Sequence, residues 1–172
     1  VRGLRAHGIA ADFRATGQTG ILIAGAGIPV DAVVADFISG AIEMLSPART
    51  DDGWDVIEGQ GSLFHPSFAG VSTGVLHGAQ ARALVMCHDP VRDHMRGLPG
   101  RTLPPLGDCI AMNLQVARLT SPEVVMAGIA LNTSTLDENA ARRLCAETGD
   151  AHALPCTDPH RFGVEALLDA LQ

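Results

Sequence analysis

Val33, Val34, Phe37, Ile38, Ala41 and Leu45 recur at spacings of three and four. That rhythm predicts an amphipathic helix over 31–46, with Asp31 as its N-cap and Pro47 as its stop. Elsewhere the apolar positions come in short runs that read as strands: "IAADFRAT" (9–16), "WDVIEG" (54–59), "RALVMCHD" (82–89), "EVVMAGIALN" (123–132) and a short run near 152–156. The run at 82–89 is continuous, as expected of a strand buried on both faces. Further helices are expected over 67–78, 108–119, 137–148 and 163–171. Residues 1–8 read as the last turns of a helix, with Leu4 on one face and Gly8 as the stop.

Strands that alternate with helices imply a parallel sheet joined by crossovers, and hence a three-layer α/β domain. Ligands of such sheets bind outside the carboxyl ends of the strands. Four segments fall at those ends: "TGQTG" (16–20), "EGQGS" (58–62), "CHDP" (87–90) and "LNTST" (131–135). The Pro- and Gly-rich connection over 90–107 has the length of a functional loop.

Composition narrows the chemistry. A chain of 172 residues is read as one domain, residues 1–172, large enough for a core. A net charge of −7 opposes a nucleic-acid phosphate footprint, which needs a basic face. No apolar run reaches the ~18 residues of a membrane span. Cys87, Cys109, Cys145 and Cys156 show no CxxC pairing, so a reducing cytoplasm is the expected location. All 12 basic side chains other than histidine are arginine. With no lysine there is no phosphate-loop lysine, Schiff-base lysine or lysine general base within the chain.

At the strand ends, Glu58 followed by Gly59, Gln60, Gly61 and Ser62 reads two ways. It is a solvated acid in a turn, or a carboxylate beside glycine amides that approach an anion. Gly17, Gln18, Thr19 and Gly20 repeat the design; Gly25-Ala26-Gly27 is a weaker version. Asp36, Gly40 and Glu43 fall on one face of the 31–46 helix, as a solvated face or as ligands for Mg²⁺ or an ammonium group. Gly40 costs a helix ~1 kcal/mol against alanine, which close approach by another chain or a ligand would offset. Gly70, Gly74 and Gly78 bare one side of the next helix for packing on the sheet or another subunit, leaving chemistry there to Ser72 or His77. His65, before Pro66, is expected within reach of a ligand. In "CHDPVRDH" the spacing of Cys87, His88, Asp89, Asp93 and His94 matches no zinc pattern, and His88 is the catalytic candidate. Asn132 either reads a base edge or caps the next helix.

The blocks "ATGQTGILIAGAGIPVDAVVADFISGAIEML", "IEGQGSLFHPSFAGVSTGVLHG" and "GIALNTSTL" resemble the C-terminal phosphate-loop-type domain of the D-glutamate N-acetyltransferase (DgcN-like) family, over essentially all 172 residues. The resemblance implies a P-loop NTPase-like fold whose first strand and phosphate loop precede this chain. It also implies a Rossmann-like N-terminal domain in the parent, and transfer of acetyl from acetyl-CoA to D-glutamate. For that reaction Glu58, His65 or His88 would act as base, and the segments 17–20 and 59–62 with Asn132 would hold the cofactor. Arg92 and Arg96 would meet substrate carboxylates. These roles follow from position along the fold. "EGQGS" is also similar to the acid-plus-glycine strand end of dethiobiotin synthetase. The alternative is therefore an ATP- and Mg²⁺-dependent ligase or kinase, with Asp36 and Glu58 on the metal, or a non-catalytic nucleotide-binding domain. A small-molecule substrate, the parent's own N-terminal domain and other copies of the chain are the expected partners.

Overall fold

A computed structural model describes residues 1–171. It contains α1 (Arg2–Ala6), β1 (Ala11–Arg14), α2 (Gln18–Ala24), α3 (Ile38–Leu45), β2 (Trp54–Ile57) and α4 (Ala69–Ala79). Then follow β3 (Ala83–His88), α5 (Leu106–Ala117), β4 (Val125–Leu131), α6 (Glu138–His152), β5 (Cys156–Thr157) and α7 (Glu165–Asp169). The chain forms two compact units: residues 1–81 with 115–123, and residues 82–114 with 124 onward. No helix among the described residues is long and apolar enough to cross a membrane.

In the first unit β1 and β2 pair in parallel, from Ala11 opposite Trp54 to Arg14 opposite Ile57. That register sets Asp12 opposite Asp55, a like-charge pair that would destabilise the sheet by itself. Arg49 resolves it by donating from one nitrogen to both carboxylates, at 2.8 Å and 2.7 Å. Val30, Ile38, Ile42 and Val75 form the core, with Ile28, Val33, Ile57 and Val71 packed against it. Burying Ile42 and Val30 completely contributes about 1.5–3 kcal/mol each.

The glycines of α4 explain how that core closes. A Cβ on Gly74 would lie 2.6 Å from Ile38, and one on Gly78 would lie 2.3 Å from the Ser39 carbonyl. The bare side expected to face the sheet or another subunit instead receives α3. Gly70 contributes nothing to this approach, since a Cβ there meets open space.

The helix expected over 31–46 is shorter than its apolar rhythm. Two 3₁₀ turns, Val30–Ala32 and Ala35–Phe37, precede α3, and Asp31 caps nothing. Asp36 thus sits in a 3₁₀ turn, off the α-helical face that holds Gly40 and Glu43. Sequence reading also missed α2. Its N-cap is Gly17 in an extended conformation and its C-cap is Gly25 at φ 74°, a left-handed position suited to glycine. Gly17–Gly20 is therefore a helix start, where a loop was expected.

In the second unit the sheet order is β3-β4-β5, all parallel. The β3–β4 register skips Ala127, so Val85 faces Gly128. A Cβ on Gly128 would sit 2.4 Å from Leu167 and 2.7 Å from the Pro155 carbonyl, so the glycine admits α7 and the chain entering β5. Ile129, Leu131 and Cys145 form the buried core, lined by Met86, Leu106, Ile110 and Phe162. Contrary to expectation, β3 is not covered on both faces within this chain: Val85 and Cys87 are exposed. Helix α6 is capped as its sequence suggests, with Asp137 accepting from the Ala140 amide at 2.8 Å.

Candidate functional site

Each sheet gathers two of the four strand-end segments at its carboxyl edge. In the first unit Glu58 follows β2 directly, and its Oε2 accepts the backbone N–H groups of Thr16 and Gly17, both at 2.9 Å. The fully buried Thr16 hydroxyl donates to the Glu58 carbonyl at 2.8 Å and accepts from Gln60 Nε2 at 2.7 Å. Gly20 is required by this seat, because a Cβ there would come within 2.2 Å of Glu58 Oε2. The amide of Gly17, expected to await an outside anion, is already held by the chain's own carboxylate.

The rest of "EGQGSLFHPSF" is equally fixed. Ser72, buried on α4, donates its hydroxyl to the Gly61 carbonyl. The His65 amide bonds the Ser62 carbonyl, and the Ser67 amide donates to His65 Nδ1 at 3.1 Å. His65 is buried, with its ring stacked on Phe68 at 4.2 Å between centroids, where exposure to a ligand was expected. Neither Gly59 nor Gly61 adopts a positive φ. Gly61 is needed for space instead, since a Cβ would meet Phe68 at 2.6 Å, whereas Gly59 faces open space.

The second unit repeats the first device. Asp158 follows β5 directly and is buried, and its Oδ2 accepts both the N–H, at 2.9 Å, and the hydroxyl of Thr133. Its Oδ1 accepts the amides of His160 at 2.9 Å and Arg161 at 3.2 Å. In both units a threonine two residues past one strand is tied to an acid one residue past its parallel neighbour. Burial raises the Asp158 pKa, but the hydrogen bonds from Thr133, His160 and Arg161 outweigh it and hold the carboxyl below its ordinary value. Arg161 also reaches the Leu136 carbonyl at 2.8 Å, clasping the loops after β4 and β5. The sequence reading named neither Thr133 nor Asp158. The signal was present: "CTDP" places an acid directly after a short strand, as "VIEG" does.

His88 ends β3, and its carbonyl accepts the Asn132 amide at 2.9 Å. Desolvation lowers its pKa, assisted by Arg92 and opposed by Asp89. Asn132 uses its side-chain carbonyl to accept from the Ser134 amide at 3.2 Å, which makes it a turn former; the α6 cap is Asp137. Arg92 is paired with Asp89 at 3.0 Å, so a substrate carboxylate would have to compete for it. Arg96 lies in the same loop. Asp93 and His94 bond each other, and His94 bridges to Thr102 across the loop. Among the described residues no three His, Cys, Asp or Glu side chains come together as metal ligands, and Asp36 and Glu58 form no such group.

Parallel strands alternating with helices, with their polar turns collected at the carboxyl strand ends, define an α/β protein. Residues 1–168 match the family described as a domain of unknown function, the DUF1611 C-terminal P-loop domain, and the chain belongs to that family. It is 48% identical over 167 residues to a D-glutamate N-acetyltransferase of Pseudoalteromonas sp, covering 97% of this chain and 50% of the relative. It is also 48% identical over 168 residues to an enzyme of the same name from Tritonibacter scottomollicae, covering 98% and 50%. The crystal structure of a DUF1611 family protein from Anabaena variabilis ATCC 29413 superposes with a TM-score of 0.91 at 38% identity, covering 99% of this chain and 50% of that one. The chain therefore spans about half the length of the curated relatives it matches.

Proposed function

We propose that this chain is part of an N-acetyltransferase that moves acetyl from acetyl-CoA to the amine of D-glutamate. The observation that carries the reading is the 48% identity, over nearly the whole chain, to two enzymes named for that acceptor. The reaction needs a base to take a proton from the substrate ammonium. The freed amine then forms a bond to the thioester carbonyl carbon, the C–S bond breaks, and the thiolate of CoA leaves and is protonated.

His88 is the preferred base, because its lowered pKa keeps the imidazole neutral, and able to accept a proton, at neutral pH. Glu58 holds the amides of Thr16 and Gly17 through Oε2, and His65 is held by Ser67 and Phe68, so both act as scaffold. The first turn of α2 after Gly17, with Gln60 and Ser62, offers polar groups to the phosphates of CoA. Arg92 and Arg96 offer guanidinium groups to the carboxylates of D-glutamate. The setting is the cytoplasm, where acetyl-CoA is made and used.

The deciding experiment gives the full-length protein D-glutamate with acetyl-CoA and, separately, with ATP and Mg²⁺. Free thiol and inorganic phosphate are followed independently. Thiol release that depends on D-glutamate supports the proposal. Phosphate release without thiol release replaces it with a ligase or kinase.

A further inference from the structure

We infer that Cys145 and Cys156 form an oxidisable dithiol site, which a peroxide converts into a reversible disulfide between α6 and β5. The chain folds back on itself to bring them together. Helix α6 gives way at Ala153, whose left-handed φ of 52° turns the chain, and the Leu154 amide bonds back to the Gly149 carbonyl at 3.1 Å. Cys145 and Gly149 sit about one turn apart on α6, on the side that receives the returning segment. Gly149 lets that segment come close: a Cβ there would lie 3.1 Å from the Leu154 carbonyl and 3.4 Å from the Cys156 Cβ. The result is two thiols in contact. The Cys156 thiol donates to the Cys145 sulfur, which also accepts the Asp158 amide. Cys145 is buried and Cys156 half-buried, and both line an open hollow of ≈ 560 Å³ with Gly149 and Asp150. A peroxide is little larger than a water molecule, whose share of the liquid is about 30 Å³, so the hollow admits it.

The hydrogen bonds assign the order of events. Cys145 accepts twice, so it is the thiol whose ionised form the site supports, and it attacks first. Burial and the neighbouring sulfur push Cys156 up to about 12, so it stays protonated while Cys145 reacts. With hydrogen peroxide, the Cys145 sulfur bonds to one oxygen, the O–O bond breaks, and a sulfenic acid and water result. Cys156 then attacks that sulfur, and its proton leaves with the displaced hydroxyl as a second water. The two thiols lose two electrons, the peroxide gains them, and a small thiol reductant reverses the change by exchange. Burial raises Cys145 as well, so the pair reacts slowly and answers sustained oxidation rather than a brief pulse. The second step is fast by comparison, because the resolving sulfur is already in contact.

Arg143 and Arg161 bound a single tryptic peptide, residues 144–161, that carries both thiols and no other cysteine. The test therefore treats the reduced, full-length protein with hydrogen peroxide, alkylates free thiols, digests with trypsin and weighs that peptide. It should appear two hydrogens lighter than its dithiol form and without label, and dithiothreitol before alkylation should restore both labels. Cys145→Ser and Cys156→Ser should each abolish the lighter form, whereas Cys87→Ser with Cys109→Ser should keep it. A serine at buried Cys145 could disturb the fold, so the unaltered reduced protein gives a second measurement. Phenylarsine oxide, whose arsenic bridges two neighbouring thiols with loss of water, should protect both cysteines of the peptide from alkylation. A peptide that peroxide leaves as the dithiol, or carries to sulfinic acid at Cys145 without a link, overturns the inference. So does a pair that phenylarsine oxide fails to protect.

Discussion

Thr16 and Glu58, 42 residues apart, hold each other through backbone and side chain at once: amide to carboxylate at 2.9 Å and hydroxyl to carbonyl at 2.8 Å. The acid therefore ties the end of β1 to the end of β2. Glu58→Ala would leave the amides of Thr16 and Gly17 without their acceptor, a loss of about 1–3 kcal/mol for each buried donor left unmet. Glu58→Gln keeps one carbonyl oxygen, enough for both amides because both converge on Oε2. We expect denaturant midpoints to fall sharply for Glu58→Ala and little for Glu58→Gln. In turnover, Glu58→Gln should stay within tenfold of wild type. A loss nearer ~10²-fold with stability retained would return Glu58 to proton transfer.

The same loop separates glycines that look alike in sequence. Gly59→Ala places a methyl in open space at a position without positive φ, so stability should change by less than about 0.5 kcal/mol. Gly61→Ala drives a Cβ to 2.6 Å from Phe68 and should cost about 1–3 kcal/mol as the ring and the His65 stack shift. Gly20→Ala strikes Glu58 itself and should resemble Glu58→Ala in stability. Thermal melts of the three variants suffice. Equal destabilisation by Gly59→Ala and Gly61→Ala would contradict this account of the loop.

Asp158 gives a prediction in pH. Its folded pKa lies below the unfolded value of about 3.9. Its contribution to stability is therefore fully present above the unfolded pKa and is lost as pH falls through the folded one. Asp158→Asn replaces an acceptor pair with one acceptor and one amino group that must face hydrogen-bond donors. It should cost ~2 kcal/mol or more at pH 7. The gap to wild type should narrow below about pH 4, as Asp158 itself takes up a proton. Urea titrations across that range measure it, and a gap independent of pH would show that charge plays no part.

The sequence revealed the strands well, because continuous apolar runs ending in Gly, His, Asn or an acid have few other uses in an α/β chain. It was weaker wherever a residue's partner lies far along the chain. Glu58 could be singled out as an acid at a strand end, but nothing local told that its partners were the amides of residues 16 and 17. Asp158 carries the same role and was overlooked, because the strand before it, Cys156–Thr157, is only two residues long. Helix α2 was hidden by its own caps: Gly17 and Gly25 bracket seven helical residues, and glycines so spaced read as loop. The 31–46 helix failed in the opposite sense, because 3₁₀ turns share the three-residue spacing that predicts an α-helix. His65 misled because a His-Pro pair usually marks an exposed turn, whereas here Phe68 covers the ring.

His88 supplies the prediction closest to the chemistry. A general base works only when unprotonated, so activity should fall as pH drops through its pKa. Burial places that pKa below the ordinary histidine value of about 6.5, with Asp89 pulling it back and Arg92 pressing it down further. The acid limb of kcat/KM for D-glutamate should therefore lie below pH 6.5, with a plateau across neutral pH. Arg92→Gln removes a nearby positive charge and should move the limb upward; Asp89→Asn removes a negative one and should move it downward. These opposite displacements would not accompany a merely structural role for His88, which would change the height of the profile and leave its midpoint in place. His88→Asn should lower kcat by ~10²-fold or more and abolish the limb. If the limb survives in His88→Asn at its wild-type position, the base lies elsewhere in the full-length protein and His88 only closes β3.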